Sequence, residues 1–468
     1  MFLNNIMKKI VSISIFLITS LLSSNSWCQN IVYPWRATSA IVKSGESFEV
    51  RFNANKEQTV YSVNLQGPYN TVATTHAIQK GNWIYDITSL NTYNTKITVT
   101  VPETAPADRY DIVVYTSTGS DTSLAGVKVI KEYKDNYYIL HFSDIHAFQN
   151  GYKTTLNRLS TIVDIANIIN PEMVFNTGDN LYRPTEDRMN QLFSGNKSLG
   201  LKGLNQLTAA TFTVVGNHDT DFDTVPEEGF YPEKSKWWNK WWGLQAYNFK
   251  YHNGRFIVIN DGWVGFDPTK QIEEATDWLK NAGKGNFRLG AAHIKESEML
   301  DLDKNVNLSM VLVGHNHHIA KTNPGLINSK TIQYISNSMR DHVEFNLYKI
   351  NGKTGISIPV SSPTAQVEYI ENPDDQNTPS LYKPKLELTY AKANDGKNAT
   401  NTATIVNKFN FLIEEARVRF VMPLGTKYTI SKGKIEQSFD GTSVHIVDVN
   451  INLEPNSSTA IEIFALKK

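Results

Sequence analysis

From about Ile31 to Glu132, apolar and polar positions alternate with period two, as in Phe48/Val50/Phe52, Ile97/Val99/Val101 and Tyr110/Ile112/Val114. Successive side chains of a strand point to opposite faces, so this pattern predicts half-buried strands. The stretches "QKGN" and "ETAPAD" read as turns between them, which predicts an Ig-like or fibronectin-like β-sandwich over residues 29–133. From Tyr138 to about Lys349 the pattern changes. Leu156, Leu159, Val163, Ala166 and Ile169 follow helical spacing, as do Ile272, Ala275 and Leu279. Between such stretches lie the strand-like runs "YYILHF", "MVFN", "TFTVV", "RFIVIN", "RLGAAH", "MVLV" and "TIQYI". Alternation of the two periods predicts an α/β unit, placed at residues 134–365. A breaker-rich stretch, "ENPDDQNTPSLYKP", leads into a further period-two region with Leu386/Leu388/Tyr390, Ala416/Val418/Phe420 and Val447/Val449/Ile451/Leu453. That predicts a second β-sandwich over 366–468.

Composition agrees with several folded units. The 468 residues exceed one ordinary domain, and 40% hydrophobic with 20% charged residues is a globular balance. Lys+Arg and Asp+Glu both number 46, so no global field recruits nucleic acid or an anionic membrane, and no nucleic-acid-binding motif is present. The start differs from the rest. Basic "MKK" precedes the apolar run Ile10 to Leu22, which is too short to span a bilayer, and small polar residues follow. Residues 1–28 read as a signal peptide cut before Gln29, giving a secreted or periplasmic protein with no transmembrane helix. A lipid anchor on Cys28 is the rival reading, disfavoured by bulky Trp27. Cleavage removes the single Cys, so any metal must be held by nitrogen and oxygen.

Candidate chemistry gathers at the ends of the central strands. "ILHFSDIHAF" runs into Asp144 and His146, "MVFNTGDNLY" into Asp179, and "TFTVVGNHD" into Asn217, His218 and Asp219. "LGAAHIK" ends at His293, and "VLVGHNHH" at His315 and His317. Loops at the carboxyl ends of strands converge on the crevice where α/β proteins bind ligands. Carboxylates with neutral imidazoles suit Zn, Fe or Mn, and one carboxylate can bridge two ions. His318 reads as structural or as a residue behind the ligands, and His141 and His252 as structural or solvent-facing.

The ordered series D-x-H, G-D-N, G-N-H-D, H, G-H-x-H resembles the calcineurin-like metallophosphoesterases over roughly residues 136–350. The resemblance implies a β-sandwich core flanked by helices and two divalent or mixed-valence ions of Mn, Zn or Fe. It implies Asp144, His146, Asp179 and His317 around the first ion, and Asp179, Asn217, His293 and His315 around the second. It further implies His218 facing the scissile phosphate as general acid, with Asp219 orienting it. The reaction implied is hydrolysis of phosphoric diesters or monoesters by hydroxide generated on the ion pair. The alternatives are a monoesterase similar to purple acid phosphatases, or an adhesion protein carrying a non-catalytic phosphoesterase unit.

Two departures narrow the resemblance. Protein phosphatases of the superfamily carry D-R-G and G-N-H-E where this chain has "GDNLYRP" and "GNHD", which argues against that class. Arg183 stands where their phosphate-gripping Arg would be and is a candidate substrate contact. "GDNLY" is similar to the G-D-x-x-Y of purple acid phosphatases, yet the D-x-H motif offers His146 for the position that Tyr182 would fill. Imidazole ligates without losing a proton, so His146 is the expected ligand and Tyr182 its neighbour. Finally, "KWWNKWW" puts Trp237/Trp241 and Trp238/Trp242 at i, i+4. These four either pack as a cap helix or, with Trp263, form an aromatic wall that grips the substrate.

Overall fold

A computed structural model describes residues 30–466, apart from 56–57, 85–91, 150–151, 221–237, 261–267, 284, 295–296, 318–319, 323–330, 362–364 and 372–382. The predicted signal segment, Trp237, Trp263 and His318 lie outside the described residues.

The central region is built on two six-stranded sheets. One has the order Ala210–Thr213, Met173–Asn176, Asn136–Phe142, Glu344–Asn351, Ile356–Pro359, with Gln366–Glu368 also paired to Glu344–Asn351. The other runs Tyr247–Tyr251, Gly254–Val258, Phe287–Ala291, Met310–Val313, Ile332–Ile335, Ala320–Thr322. Ile139, Phe175 and Phe212 of the first sheet share one core with Phe256, Leu289 and Leu312 of the second. Helix Tyr152–Ile169 buries Leu159, Val163 and Ala166 in a cluster with Leu140 and Val174 of the first sheet. Ile272, Ala275 and Leu279 of helix Pro268–Ala282 pack with Leu302 and Val311 on the second sheet. The inner strands are parallel, so their carboxyl ends fall on one rim. Strands buried on both faces need continuous apolar runs, which is how "MVFN" and "MVLV" read.

In the N-terminal region, a four-stranded and a five-stranded sheet enclose a core of Val50, Phe52, Ile97, Val99, Ile112 and Val114. The expected turn at "QKGN" is not a turn. Strand Thr75–Ile84 runs through it, and the register to Thr92–Thr100 shifts between Lys80 and Trp83. Gly81 there serves a bulge rather than a reversal. The C-terminal region pairs a four-stranded with a three-stranded sheet. Its buried Ala416, Val418, Phe420, Val447 and Val449 join the cluster that contains helix Tyr152–Ile169, so this core is continuous with the central one.

The N-terminal region also grips the central sheets. Thr38 bridges Phe212 at the outer edge of the first sheet, and Ser39 exchanges hydrogen bonds with Thr211. The Trp35 indole donates to the Trp241 carbonyl at 3.0 Å. Arg109 donates to the carbonyls of Leu207 and Arg36 at 3.1 and 2.7 Å. Among the described residues no helix is long and apolar enough to cross a membrane.

Candidate metal centre

Five loops leave the carboxyl ends of the parallel strands and meet. Asp144 and His146 follow Asn136–Phe142, Asp179 follows Met173–Asn176, and Asn217 to Asp219 follow Ala210–Thr213. His293 follows Phe287–Ala291, and His315 and His317 follow Met310–Val313. Potential ligand atoms fall into three overlapping groups, Asp144/His146/His317, His146/Asp179/His218 and Asp179/His293/His315, each within 4.8 Å. The Asp179 carboxylate is shared. Its Oδ2 lies 3.7 Å from His146 Nε2 and 3.3 Å from His293 Nε2.

The backbone is shaped for this. Asp144, His146, Asp179, His315 and His317 all have left-handed φ, between 45° and 66°. For residues with a Cβ this conformation costs about 1–3 kcal/mol each, and such strain gathers at functional sites. The motif glycines have a separate reason. A Cβ on Gly314 would strike Ser143 Oγ and come within 2.7 Å of Asp144 Oδ2, and one on Gly216 would strike the Asp179 amide and carboxylate. Only glycine lets these loops close on the carboxylates.

Hydrogen bonds aim the side chains. His293 Nδ1 lies 2.5 Å from the Thr177 carbonyl, to which only a protonated Nδ1 can donate, leaving the Nε2 lone pair facing Asp179. The His218 amide donates to Asp179 Oδ1 at 2.8 Å, and the His315 amide to Asp144 Oδ2 at 3.0 Å. Asp144 Oδ1 is buried and accepts no hydrogen bond, although His317 Nε2 and His146 Nε2 stand 3.3 and 3.8 Å away. A buried carboxylate oxygen with two imidazole nitrogens turned toward it suits a cation between them. The donor set of carboxylates and imidazoles, with the Asn217 carboxamide in the same loop as His218, fits two ions of the Zn, Fe or Mn type.

Several expected side chains sit differently. Asp219 does not orient His218. Its Oδ1 accepts from the Asn180 and Leu181 amides at 2.8 and 3.3 Å, and its Oδ2 from the Gly216 amide and Asn180 Nδ2, both at 3.1 Å. It is a clamp between two loops. Burial, then the Asp179 charge, push its carboxyl up to about 7 against these donors. The His218 ring instead lies 4.8 Å from that of His146 and 5.9 Å from that of Tyr182. Trp238, Trp241 and Trp242 are at most 1% exposed, so they form no substrate wall. They pack in the central core, Trp238 stacking on Trp242 at 5.2 Å and Phe193 lying 4.7 Å from Trp242. Arg183 is exposed, its guanidinium 5.3 Å over the ring of Tyr182. His141 is buried, Nε2 2.9 Å from Thr177 Oγ1, and burial lowers its pKa to about 3. His252 pairs at the surface with Asp135 at 3.1 Å.

Two polar residues at the rim escaped the sequence reading, Arg340 and Asp341. They follow strand Ile332–Ile335, where the Arg340 amide donates to the Asp144 carbonyl at 3.1 Å. Asp341 Oδ2 stands 3.2 Å from His317 Nδ1. The available signal was the same as for the others, since "NSMRD" is polar and follows an apolar strand run.

Residues 137–318 match the family model described as Calcineurin-like phosphoesterase. A search of curated proteins finds no match. Among solved structures, a purple acid phosphatase from yellow lupin (Lupinus luteus) seeds is similar at 14% identity, over 67% of this chain and 69% of that one, with a TM-score of 0.39. Two Bacteroides fragilis proteins, described provisionally as α-galactosidases, are similar at 9% identity, with TM-scores of 0.22 and 0.23. They cover 90% and 92% of this chain, and 96% and 97% of theirs is covered. These likenesses are too slight to inform the site. The match to the calcineurin-like phosphoesterase model, over residues 137–318, spans every one of the strand-end motifs.

Proposed function

We propose that this protein is an exported, dinuclear-metal-dependent hydrolase of phosphoric diesters or monoesters. The observation that carries the reading is the position of Asp179, one carboxylate shared between a group containing His146 and a group containing His293 and His315. Asp144, His146, Asp179 and His317 would hold one ion, and Asp179, Asn217, His293 and His315 the other. Two ions so held supply Lewis acidity toward phosphate oxygens and a water of lowered pKa. The chain's own residues do the rest. The His218 amide holds Asp179 Oδ1, which leaves Oδ2 turned toward His146 and His293. His218, half-buried beside His146, would give a proton to the leaving alkoxide. The clamp at Asp219 holds the loops of Asp179 and Asn217 in register. Arg340, with Nη2 2.9 Å from His317 Nδ1, would bring positive charge to an anionic phosphate beside the first group.

The intact ligand set disfavours the adhesion reading, since a decayed site would have lost members. The flanking sheets buttress the centre in this view, as an N-terminal unit at 29–133, a catalytic unit at 134–365 and a C-terminal unit at 366–468. The test is hydrolysis of bis-p-nitrophenyl phosphate and p-nitrophenyl phosphate by metal-stripped protein and by protein reloaded with Mn, Zn or Fe. Metal-restored turnover is the expected result. Turnover indifferent to metal, or none with any ion, refutes it.

A further inference from the structure

His317 differs from His293 in what sits behind its ring. The back nitrogen of His293 faces a backbone carbonyl, whereas Nδ1 of His317 faces two opposed side chains. Asp341 Oδ2 lies 3.2 Å away and Arg340 Nη2 lies 2.9 Å away. These contacts demand different tautomers. A guanidinium only donates, so Arg340 requires a bare Nδ1 and leaves the ring proton on Nε2, pointing at Asp144 Oδ1 3.3 Å off. A ring that ligates through Nε2 carries its proton on Nδ1, and of the two neighbours only Asp341 can accept it.

Asp341 is itself held. Arg340 Nε reaches its Oδ1 at 2.8 Å and Arg340 Nη2 its Oδ2 at 2.7 Å, while Arg340 Nη1 is anchored on Gln149 Oε1 at 3.0 Å. The segment is pinned to the site by the Ser338 hydroxyl and Arg340 amide on the Asp144 carbonyl, and by Arg158 on the Met339 carbonyl. The acceptor therefore stands at a fixed place behind the ring.

We propose that Asp341 is a positioning residue that sets His317 in its metal-ligating tautomer, aiming Nε2 at the ion shared with Asp144 and His146. The inference rests on the dinuclear reading of the site. Removing the carboxylate that orients a ligating His typically costs 10–100-fold in metal affinity. The effect falls on one ion, because Asp179, Asn217, His293 and His315 have no contact with Asp341.

The experiment titrates Mn(II) into metal-stripped full-length protein, wild type, Asp341→Ala and Asp341→Asn, followed by calorimetry and by the electron paramagnetic resonance of the ion pair. Wild type should take up two ions and show a coupled spectrum. Asp341→Ala should lose about 10–100-fold in one of the two affinities and, at limiting Mn(II), show the spectrum of a lone ion. Asp341→Asn keeps an oxygen acceptor and should recover most of the loss. Unchanged affinities in Asp341→Ala overturn the inference, and so does an equal loss at both sites, which marks a general structural role. A wild-type chain that takes up fewer than two ions instead refutes the dinuclear reading.

Discussion

Two of the places where the molecule buries charge are built oppositely. Between the N-terminal and C-terminal sheets, Arg419 donates to Asp448 through Nε and Nη2 at 2.7 and 2.8 Å, and to Asp108 through Nη1 at 2.6 Å. The Arg109 amide takes the other oxygen of Asp108, and Gln437 and Arg417 add to Asp448. Every carboxylate oxygen there has a donor. At the strand ends, Asp144 Oδ1 has none, and imidazoles with lone pairs to spare surround two carboxylates. A cluster whose charges and hydrogen bonds close on themselves is a brace. One that leaves acceptors facing acceptors is shaped for a cation from outside.

Substitutions should separate the two. The largest effect is expected from Asp179→Asn, which removes the charge shared by both ligand groups. Turnover should fall to background and metal content should drop, with the melting temperature of the metal-free protein no lower than that of metal-free wild type. Second comes His218→Ala. Metal content by elemental analysis should stay at the wild-type level, while turnover falls on the order of 10²–10⁴-fold, less for substrates with good leaving groups. Equal losses for poor and good leaving groups would contradict a proton-donating role.

Arg419→Ala strikes the brace instead. Two carboxylates, each at most 3% exposed, would lose their main counter-charge, at about 3–5 kcal/mol of stability in urea unfolding. KM and metal content should not move. The same variant has a pH signature. Although burial raises the Asp448 pKa, Arg417 and Arg419 outweigh it and hold the group below its ordinary value. The unfolded chain then binds the proton more readily. The stabilisation is complete above roughly pH 4 and is lost as pH falls through the folded value, so the acid-side slope should flatten in Arg419→Ala. The smallest effect belongs to Tyr182→Phe. Its ring packs 5.9 Å from that of His218, so both ions should stay and turnover should change by no more than about 1 kcal/mol, roughly fivefold. Loss of an ion would make the phenol a ligand and reinstate the purple-acid-phosphatase reading.

How legible these features were depended on whether the physics was local. Parallel strands buried on both faces must be continuous apolar runs, and each ran directly into its motif, so strands and ligand loops could be read together. The Trp cluster was ambiguous, because Trp at i, i+4 looks the same under a neighbouring domain as over a substrate; only the N-terminal residues Trp35 and Arg36, some 200 positions earlier, decide it. Asp219 misled through adjacency. His218–Thr220 is a 3₁₀ turn, in which neighbouring side chains diverge by about 120°, so the residue after His218 faces elsewhere. Asp341 acts on a side chain 24 positions away, across a loop, and no spacing rule carries that.

The contact of Thr38 and Ser39 with the strand Ala210–Thr213 has a further consequence for how the protein can be divided. That strand is the last of its sheet, and an uncovered last strand offers its free amides and carbonyls to any other chain in solution. Thr38 and Ser39 occupy that position, and nearby the Trp35 indole donates to the Trp241 carbonyl. The central part, cut away from what precedes it, would therefore expose this edge and tend to associate through it. In the whole chain the N-terminal region keeps that edge paired.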